Sequence, residues 1–292
     1  MRIIATGAAG YVGGHVAAIL RDRGHDLVAL ARDAAQAARL KERGVRALVT
    51  PLEDTGGLRA AVAAADAVLH AAASDDPAFH PVNAAAVAAM LDGLPDRAAF
   101  VTHGGTLVYG PTGPAGVTAA APPAPPPFLQ GRVALEEGIL AAGGRLRTAV
   151  VHAGLVYGGR GAVLPGLLVQ AARALGAAPF VGDGANAWTS VHVADWAALL
   201  ADALEATPAG GRRYVATGRI VTMRAVAETL AAVAGLPGAR SLDPAEAEAR
   251  FGPFALALGM DQRFLPGPER DLLGWSPRID DLAQGFRDLL AG

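Results

Sequence analysis

Gly7, Gly10 and Gly13 stand at three-residue intervals in Thr6-Gly7-Ala8-Ala9-Gly10-Tyr11-Val12-Gly13, between a short apolar run and a helical segment. Glycines at this spacing let a backbone turn tightly and approach a pyrophosphate, while the first amides of the following helix face the anion. In that strand–turn–helix setting the triplet predicts a dinucleotide site, with Gly7, Ala9, Gly10, Tyr11, Val12 and Gly13 forming the phosphate cradle. About twenty residues after the glycines, where a carboxylate would hold ribose hydroxyls, the chain has Ala31 followed by Arg32. A guanidinium pairs bidentately with a 2′-phosphate that a carboxylate would repel, so Arg32 predicts NADP(H) ahead of NAD(H). The adjacent Asp33 could still bind ribose.

Other chemistries lack their residues. The 292-residue chain has no cysteine, which excludes disulfides, thiolate catalysis and cysteine-ligated metals. Its seven histidines have no metal-site spacing such as His-Glu-x-x-His, so no metal is expected. No Gly-x-Ser-x-Gly elbow is present, which argues against a hydrolase. A formal net charge of −2 gives no basic footprint for nucleic acid and no polybasic surface for anionic lipid. Charges such as Asp66 and Asp202 interrupt the apolar stretches too soon for a bilayer span. The first strand starts directly after Met1-Arg2, leaving no room for a signal peptide, and a cytoplasmic location is expected.

The elements that must position these residues follow from the hydrophobic pattern. Arg2–Thr6, Leu27–Ala31, Val45–Val49, Ala67–Ala71, Ala99–Thr102 and Thr148–His152 read as strands. Helices are expected at Tyr11–Arg23, Ala34–Arg43, around Leu58–Ala64 and around Arg132–Leu140. Alternating β and α with continuous apolar strands predicts an α/β fold, a Rossmann-like doubly wound parallel sheet that binds ligands beyond its carboxyl edge. Residues 1–160 are expected to form the nucleotide-binding core, and 161–292 to complete it and supply a small substrate lobe. In that second part a helix from Leu164, strands near Val191 and at Arg213–Ala216, and helices to Leu204 and at Met223–Ala234 are expected. Between Pro111 and Pro127 a Gly/Ala/Pro-rich run cannot form helix interior or central strand, and reads as a spacer or a substrate-facing lid.

Five ordered motifs carry a resemblance. The glycine turn, Ala67–Ala73 (AVLHAAA), Leu107–Gly110 (LVYG) with Gly154–Gly158 (GLVYG), Val191–Asp195 (VHVAD) and Leu273–Pro277 (LGWSP) resemble those of atypical and extended short-chain dehydrogenase/reductases, the epimerase/dehydratase-like group. The resemblance implies that Ala71, Ala72 and Ala73 line the cofactor. It also places Thr50-Pro51-Leu52 where the family has Gly-Asp-Leu beside the adenine, so Leu52 is retained there without its carboxylate. Homodimers through paired helices are common in the family, and a homodimer is the implied assembly.

Catalysis in this family uses Tyr-x-x-x-Lys with a Ser or Thr, the lysine cation drawing the phenol towards neutrality so that it can exchange a proton with substrate. Alignment on Glu136 puts Phe128 at the tyrosine and Arg132 at the lysine, with the usual serine near Gly104-Gly105 and Thr106 beside it. No other register restores the pair, because Lys41 is the only lysine. Arg132 could hold the nicotinamide ribose and steady a developing oxyanion, but a guanidinium holds its proton too firmly to be a good proton donor. Tyr109 and Tyr157 could supply a phenol or simply pack in their Tyr-Gly turns; His103 and His152 follow nearby strands, and His192 and Asp195 should serve the structure.

Loss of acid–base help costs about 10²–10⁴ in rate, which an activated carbonyl, enone or iminium substrate would feel least. The leading expectation is therefore an NADP(H)-dependent reductase for a small, apolar, activated molecule. A catalytically silent NADP(H) sensor and a non-redox isomerase or lyase are the alternatives.

Overall fold

The computed structural model describes residues 1–74, 76 and 78–291. In chain order its elements are β1 (Arg2–Thr6), α1 (Tyr11–Asp22), β2 (Asp26–Ala31), α2 (Ala34–Glu42), β3 (Arg46–Val49), α3 (Thr55–Val62), β4 (Ala67–His70), α4 (Phe79–Gly93), β5 (Ala99–Gly105), α5 (Gln130–Ala141) and β6 (Arg147–Ala153). There follow β7 (Leu155–Tyr157), α6 (Val163–Leu175), β8 (Ala178–Val181), β9 (Ala187–His192), α7 (Val193–Ala206), β10 (Gly210–Val215), β11 (Ile220–Thr222), α8 (Met223–Ala234), β12 (Ala239–Leu242), α9 (Pro244–Phe251), α10 (Phe254–Leu258), α11 (Pro268–Leu273) and α12 (Leu282–Leu290).

Seven parallel strands form the central sheet in the order β10-β6-β5-β4-β1-β2-β3. Alternate residues of each strand feed opposite layers, as a pleated strand requires. Ile3 and Ala5 of β1 join Val16, Leu20, Trp196 and Leu200 on the α1/α7 side, whereas Ile4 joins Leu58, Met90 and Ile139 on the α3/α4/α5 side. Both faces are buried along the inner strands, which explains why those strands read as continuous apolar runs. The chain winds outward from β1 in one direction and from β4 in the other. The crevice above their carboxyl ends is the topological switch point, where ligands of such sheets bind.

The second part of the chain supplies β10 to the edge of this sheet beside β6. It also forms two small sheets, β7-β9-β11 and β8-β12, around a core of Leu168, Phe180, Trp188, Leu230 and Phe286. Helix α4 was not anticipated from the pattern: it is alanine-rich and lacks a capping side chain, so no amphipathic stripe announces it. The proline-rich segment behaves as a spacer. Val117 N–H donates to Arg263 O at 3.0 Å and Ala124 N–H to Val108 O at 3.0 Å, stitching it to the C-terminal lobe and to the end of β5. Among the described residues no helix is long and apolar enough to cross a membrane.

Candidate active site

The glycine turn closes over the β1/β4 switch point with almost no spare room. Gly7 has φ 69°, and a Cβ there would lie 2.3 Å from the carbonyl carbon and oxygen of Ala71. A Cβ on Gly13 would lie 2.2 Å from Gly7 O. The tight approach brings the start of α1 onto the sheet edge, with no side-chain cap and no acidic residue in its first turn. Its leading amides thus remain available to an anion. The cradle fits a dinucleotide pyrophosphate. Tyr11 reaches across to donate its hydroxyl to Gly158 O, and its ring packs on Gly161, folding residues 158–161 against the turn.

Beneath the crevice Thr6 Oγ1 meets His70 Nδ1 at 2.8 Å, and His70 Nε2 meets Asn83 Oδ1 at 2.9 Å. Thr102 donates its hydroxyl to His70 O at 2.8 Å. Burial pushes the His70 imidazole down to about 3, so it is a neutral strut between β1, β4 and α4. Ala71 is buried, Ala72 half-buried and Ala73 exposed, a gradient out of the sheet into the crevice. Leu52 is half-buried against the α3/α4 layer.

Arg32 is exposed at the end of β2, 3.0 Å from Asp33 Oδ2. The other Asp33 oxygen accepts Gln36 N–H at 2.7 Å and caps α2. That backbone hydrogen bond, aided by Arg32, draws the Asp33 carboxyl below its ordinary value. Asp33 is thus engaged as a cap, while most of the Arg32 guanidinium faces solvent.

Next to the turn lies a cavity of about 290 Å³. Tyr11 and Val12 form one wall, His103, Gly104 and Thr106 a second, and Ala153, Gly154 and Val156 a third. Leu164, Trp188, Trp196 and Phe254 close it from the C-terminal half. Both indole N–H groups are spent on backbone, Trp196 on Val151 O at 3.3 Å and Trp188 on Met260 O at 3.1 Å. Thr106 is 1% exposed, and its Oγ1 has no partner among the described residues. Among the described residues no arginine, lysine, aspartate or glutamate lines the cavity.

Arg132 does not line it either, but holds its floor. From the first turn of α5 its Nε donates to Glu136 Oε1 at 2.7 Å and its Nη2 to His103 O, leaving Nη1 unengaged among the described residues. Glu136 Oε2 accepts from His152 Nε2 at 2.9 Å, and both of these side chains are fully buried. Burial would raise the Glu136 carboxyl, yet His152 and Arg132 overcome it and hold it below its ordinary value. The pair also leaves no room for a side chain at Gly104. A Cβ on Gly104 would come within 2.7 Å of His152 and 2.8 Å of Glu136, whereas nothing lies within 4 Å of one on Gly105.

Tyr109 and Tyr157, candidates for proton donation from sequence, lie outside the cavity lining. Tyr109 donates to Ala119 O at 3.3 Å and packs edge-on against His152 and Phe264. Tyr157 donates to Ile279 O at 2.9 Å. Burial pushes both phenols up, Tyr157 to about 12, further from acid work. Tyr109→Phe and Tyr157→Phe are each expected to lower stability by about 1 kcal/mol and to leave ligand affinity unchanged, as read by urea unfolding and calorimetry. The VHVAD and LGWSP motifs lock together at long range: Asp195 Oδ2 accepts Arg278 N–H at 3.0 Å and Ile279 N–H at 2.8 Å, and Trp275 Nε1 donates to Asp195 O at 3.1 Å. His192 caps α7 through Nδ1.

Residues 3–216 match the NAD dependent epimerase/dehydratase family. The chain belongs to this family. An uncharacterised protein of Schizosaccharomyces pombe is 28% identical over 287 residues, 95% of each chain. Among solved structures, a nucleoside-diphosphate-sugar epimerase from Pseudomonas aeruginosa superposes with a TM-score of 0.77 at 22% identity, covering 99% of this chain and 96% of that one. A dTDP-glucose 4,6-dehydratase double mutant from Streptomyces venezuelae with NAD bound gives 0.78 at 20% identity, over 100% and 96% of the two chains. These likenesses show a shared epimerase/dehydratase fold. Within it, the lining residues that sequence did not place at the site include Trp196, Leu164 and Val163, and only the proximity of Trp196 to the VHVAD motif could have pointed to it.

Proposed function

We propose that this epimerase/dehydratase-family protein is an NADP(H)-dependent oxidoreductase for a small, neutral, largely apolar carbonyl, enone or imine compound. The observation that carries the reading is that the glycine cradle and the apolar cavity share a wall, Tyr11 and Val12. A dinucleotide held at the cradle would deliver its reactive end to the cavity mouth, and the nicotinamide would supply or accept a hydride there. Gly7, Ala9, Gly10, Tyr11, Val12 and Gly13 would hold the pyrophosphate, with Ala71, Ala72 and Ala73 along the crevice and Leu52 beside the adenine. Arg132 Nη1 would take a ribose hydroxyl.

Exposure of Arg32 and engagement of Asp33 support a 2′-phosphate. Among the described residues no charged side chain lines the cavity, which supports an uncharged substrate, since a nucleoside diphosphate calls for cationic partners. Replacement of Tyr-x-x-x-Lys by Phe128 and Arg132 favours a second reading, a sensor that binds the dinucleotide without turning anything over.

Calorimetry on Arg32→Ala tests the cofactor assignment. Losing one charge-assisted partner of about 1.5–3 kcal/mol is expected to weaken NADPH about 10- to 100-fold and leave NADH unchanged; equal loss for both would remove the case for NADP(H). Oxidation of NADPH in the presence of 4-nitrobenzaldehyde, 9,10-phenanthrenequinone or 2-cyclohexenone separates the reductase from the sensor, which would bind and stay silent with all three.

A further inference from the structure

The family's usual proton carrier is gone. Phe128 is 51% exposed in the single turn Pro127–Leu129 and does not line the cavity. Moving a hydride to or from an oxygen-bearing carbon still requires a proton at that oxygen. Among the described residues, and apart from the committed indoles, the cavity wall offers three side chains with an exchangeable proton: Tyr11, His103 and Thr106. The Tyr11 hydroxyl is given to Gly158 O, and burial raises its pKa out of useful range. Thr106 has a free hydroxyl that can donate a hydrogen bond but does not ionise near neutral pH.

We propose that His103 is the catalytic residue that exchanges a proton with the substrate oxygen. The assignment rests on the oxidoreductase reading and names the acid–base group within it. His103 and Thr106 stand three residues apart where β5 ends. The imidazole is clamped edge-on to Trp196, with ring centroids 5.6 Å apart, and its Nε2 lies 3.3 Å from Ala71 O. Giving Nε2–H to that carbonyl fixes the tautomer and leaves the lone pair on Nδ1. Nδ1 has no protein partner among the described residues and is not sealed in the core.

Around the ring stand Arg132 and Glu136 from α5, His152 from β6, His70 from β4, Tyr11 from α1 and Trp196 from α7. Burial and then the Arg132 guanidinium hold the imidazole down to about 4, so at neutral pH it is a proton acceptor. In the oxidative direction the substrate O–H bond breaks and its proton passes to Nδ1, while the carbon gives a hydride with its electron pair to the oxidised nicotinamide and C=O forms. In the reductive direction the imidazolium Nδ1–H bond breaks, O–H forms, and the carbonyl carbon takes the hydride from the reduced nicotinamide. Reductive kcat/KM should therefore rise about tenfold per unit as pH falls from 7 to 5, with oxidation flat over the same range.

The experiment has one arm without turnover. Histidine ¹⁵N NMR at pH 7, on protein loaded with NADP⁺, should show His103 as a neutral Nε2–H ring whose Nδ1 resonance shifts when 4-nitrobenzyl alcohol is added; the signal is assigned by its loss in His103→Gln. The second arm follows NADPH oxidation with 4-nitrobenzaldehyde. His103→Gln and His103→Asn, shown to be folded and to bind NADPH as the parent does, should lose about 10²-fold or more in kcat. Variants within threefold of the parent, an Nδ1 resonance unmoved by the alcohol, or no turnover by the NADPH-loaded parent would each overturn the assignment. Failure of the parent to bind NADPH in calorimetry would instead bring down the oxidoreductase reading beneath it.

Discussion

Glu136→Ala is expected to destabilise the protein by about 3–5 kcal/mol, the usual cost of stripping one partner from a buried ion pair. Glu136 is 0% exposed and takes hydrogen bonds from Arg132 at 2.7 Å and His152 at 2.9 Å. Its loss leaves the guanidinium three-quarters buried without an anion and the fully buried His152 Nε2 without an acceptor. Replacing Arg132 as well, in Arg132→Met/Glu136→Leu, should recover much of that loss, because apolar groups of similar volume replace buried charge at little cost. The double variant would also lack the ribose contact proposed for Arg132, so urea unfolding and NADPH calorimetry should move in opposite directions between the single and double variants.

The same carboxylate sets an acid limit. Its folded-state value lies below the ordinary 4.5, so its stabilisation is complete above about pH 4.5 and is lost as pH falls through the folded value. His70 and His103 act earlier. Held to about 3 and about 4 against an ordinary 6.5, they take up protons in the unfolded chain before the folded one, so stability should begin to fall below pH 6.5.

Gly7→Ala is expected to abolish dinucleotide binding, with NADPH affinity falling at least about 100-fold. Left-handed backbone at a non-glycine residue costs about 1–3 kcal/mol. Here the added Cβ would also meet Ala71 C and O at 2.3 Å and Ala72 N at 2.5 Å. These are backbone atoms, and no rotamer change relieves them. Relief requires β1 and β4 to part at the switch point where the proposed cradle would hold the pyrophosphate. Gly14→Ala is the matched control: one turn along α1, its Cβ would meet Ala8 O at an ordinary 3.5 Å. Alanine in a helix interior gains up to about 1 kcal/mol over glycine, so this variant should bind NADPH as the parent does and unfold at higher urea.

These residues mark how far the sequence was legible. The glycine turn could be read because most of its demands are local: the positive φ at Gly7 and the approach of Gly13 to Gly7 O fall within one strand–turn–helix unit. The inner parallel strands could be read because both of their faces are buried. Helix α4 escaped because its apolar residues run round most of its surface. The apolar character of Trp188 and Phe254 is legible, but that they close a cavity is not. Trp188 and Phe254 reach it from β9 and α10, and the long-range pairing of Trp188 with Gln262 that helps arrange them has no local signature. Arg132 was recognised by its place relative to Glu136, but its attachment to the His103 carbonyl depends on how α5 packs across β5. Tyr109 and Tyr157 sit in motifs that suggest chemistry, and only the third dimension shows their hydroxyls committed to backbone.

The most direct measurement is calorimetric titration of the purified protein with NADPH, NADP⁺, NADH and NAD⁺ in parallel. One site per chain, filled by the phosphorylated pair at least about tenfold more tightly than by the other two, is the expected result. No heat of binding from any of the four would contradict it, and would mean that the cradle of Gly7, Gly10 and Gly13 no longer serves a dinucleotide.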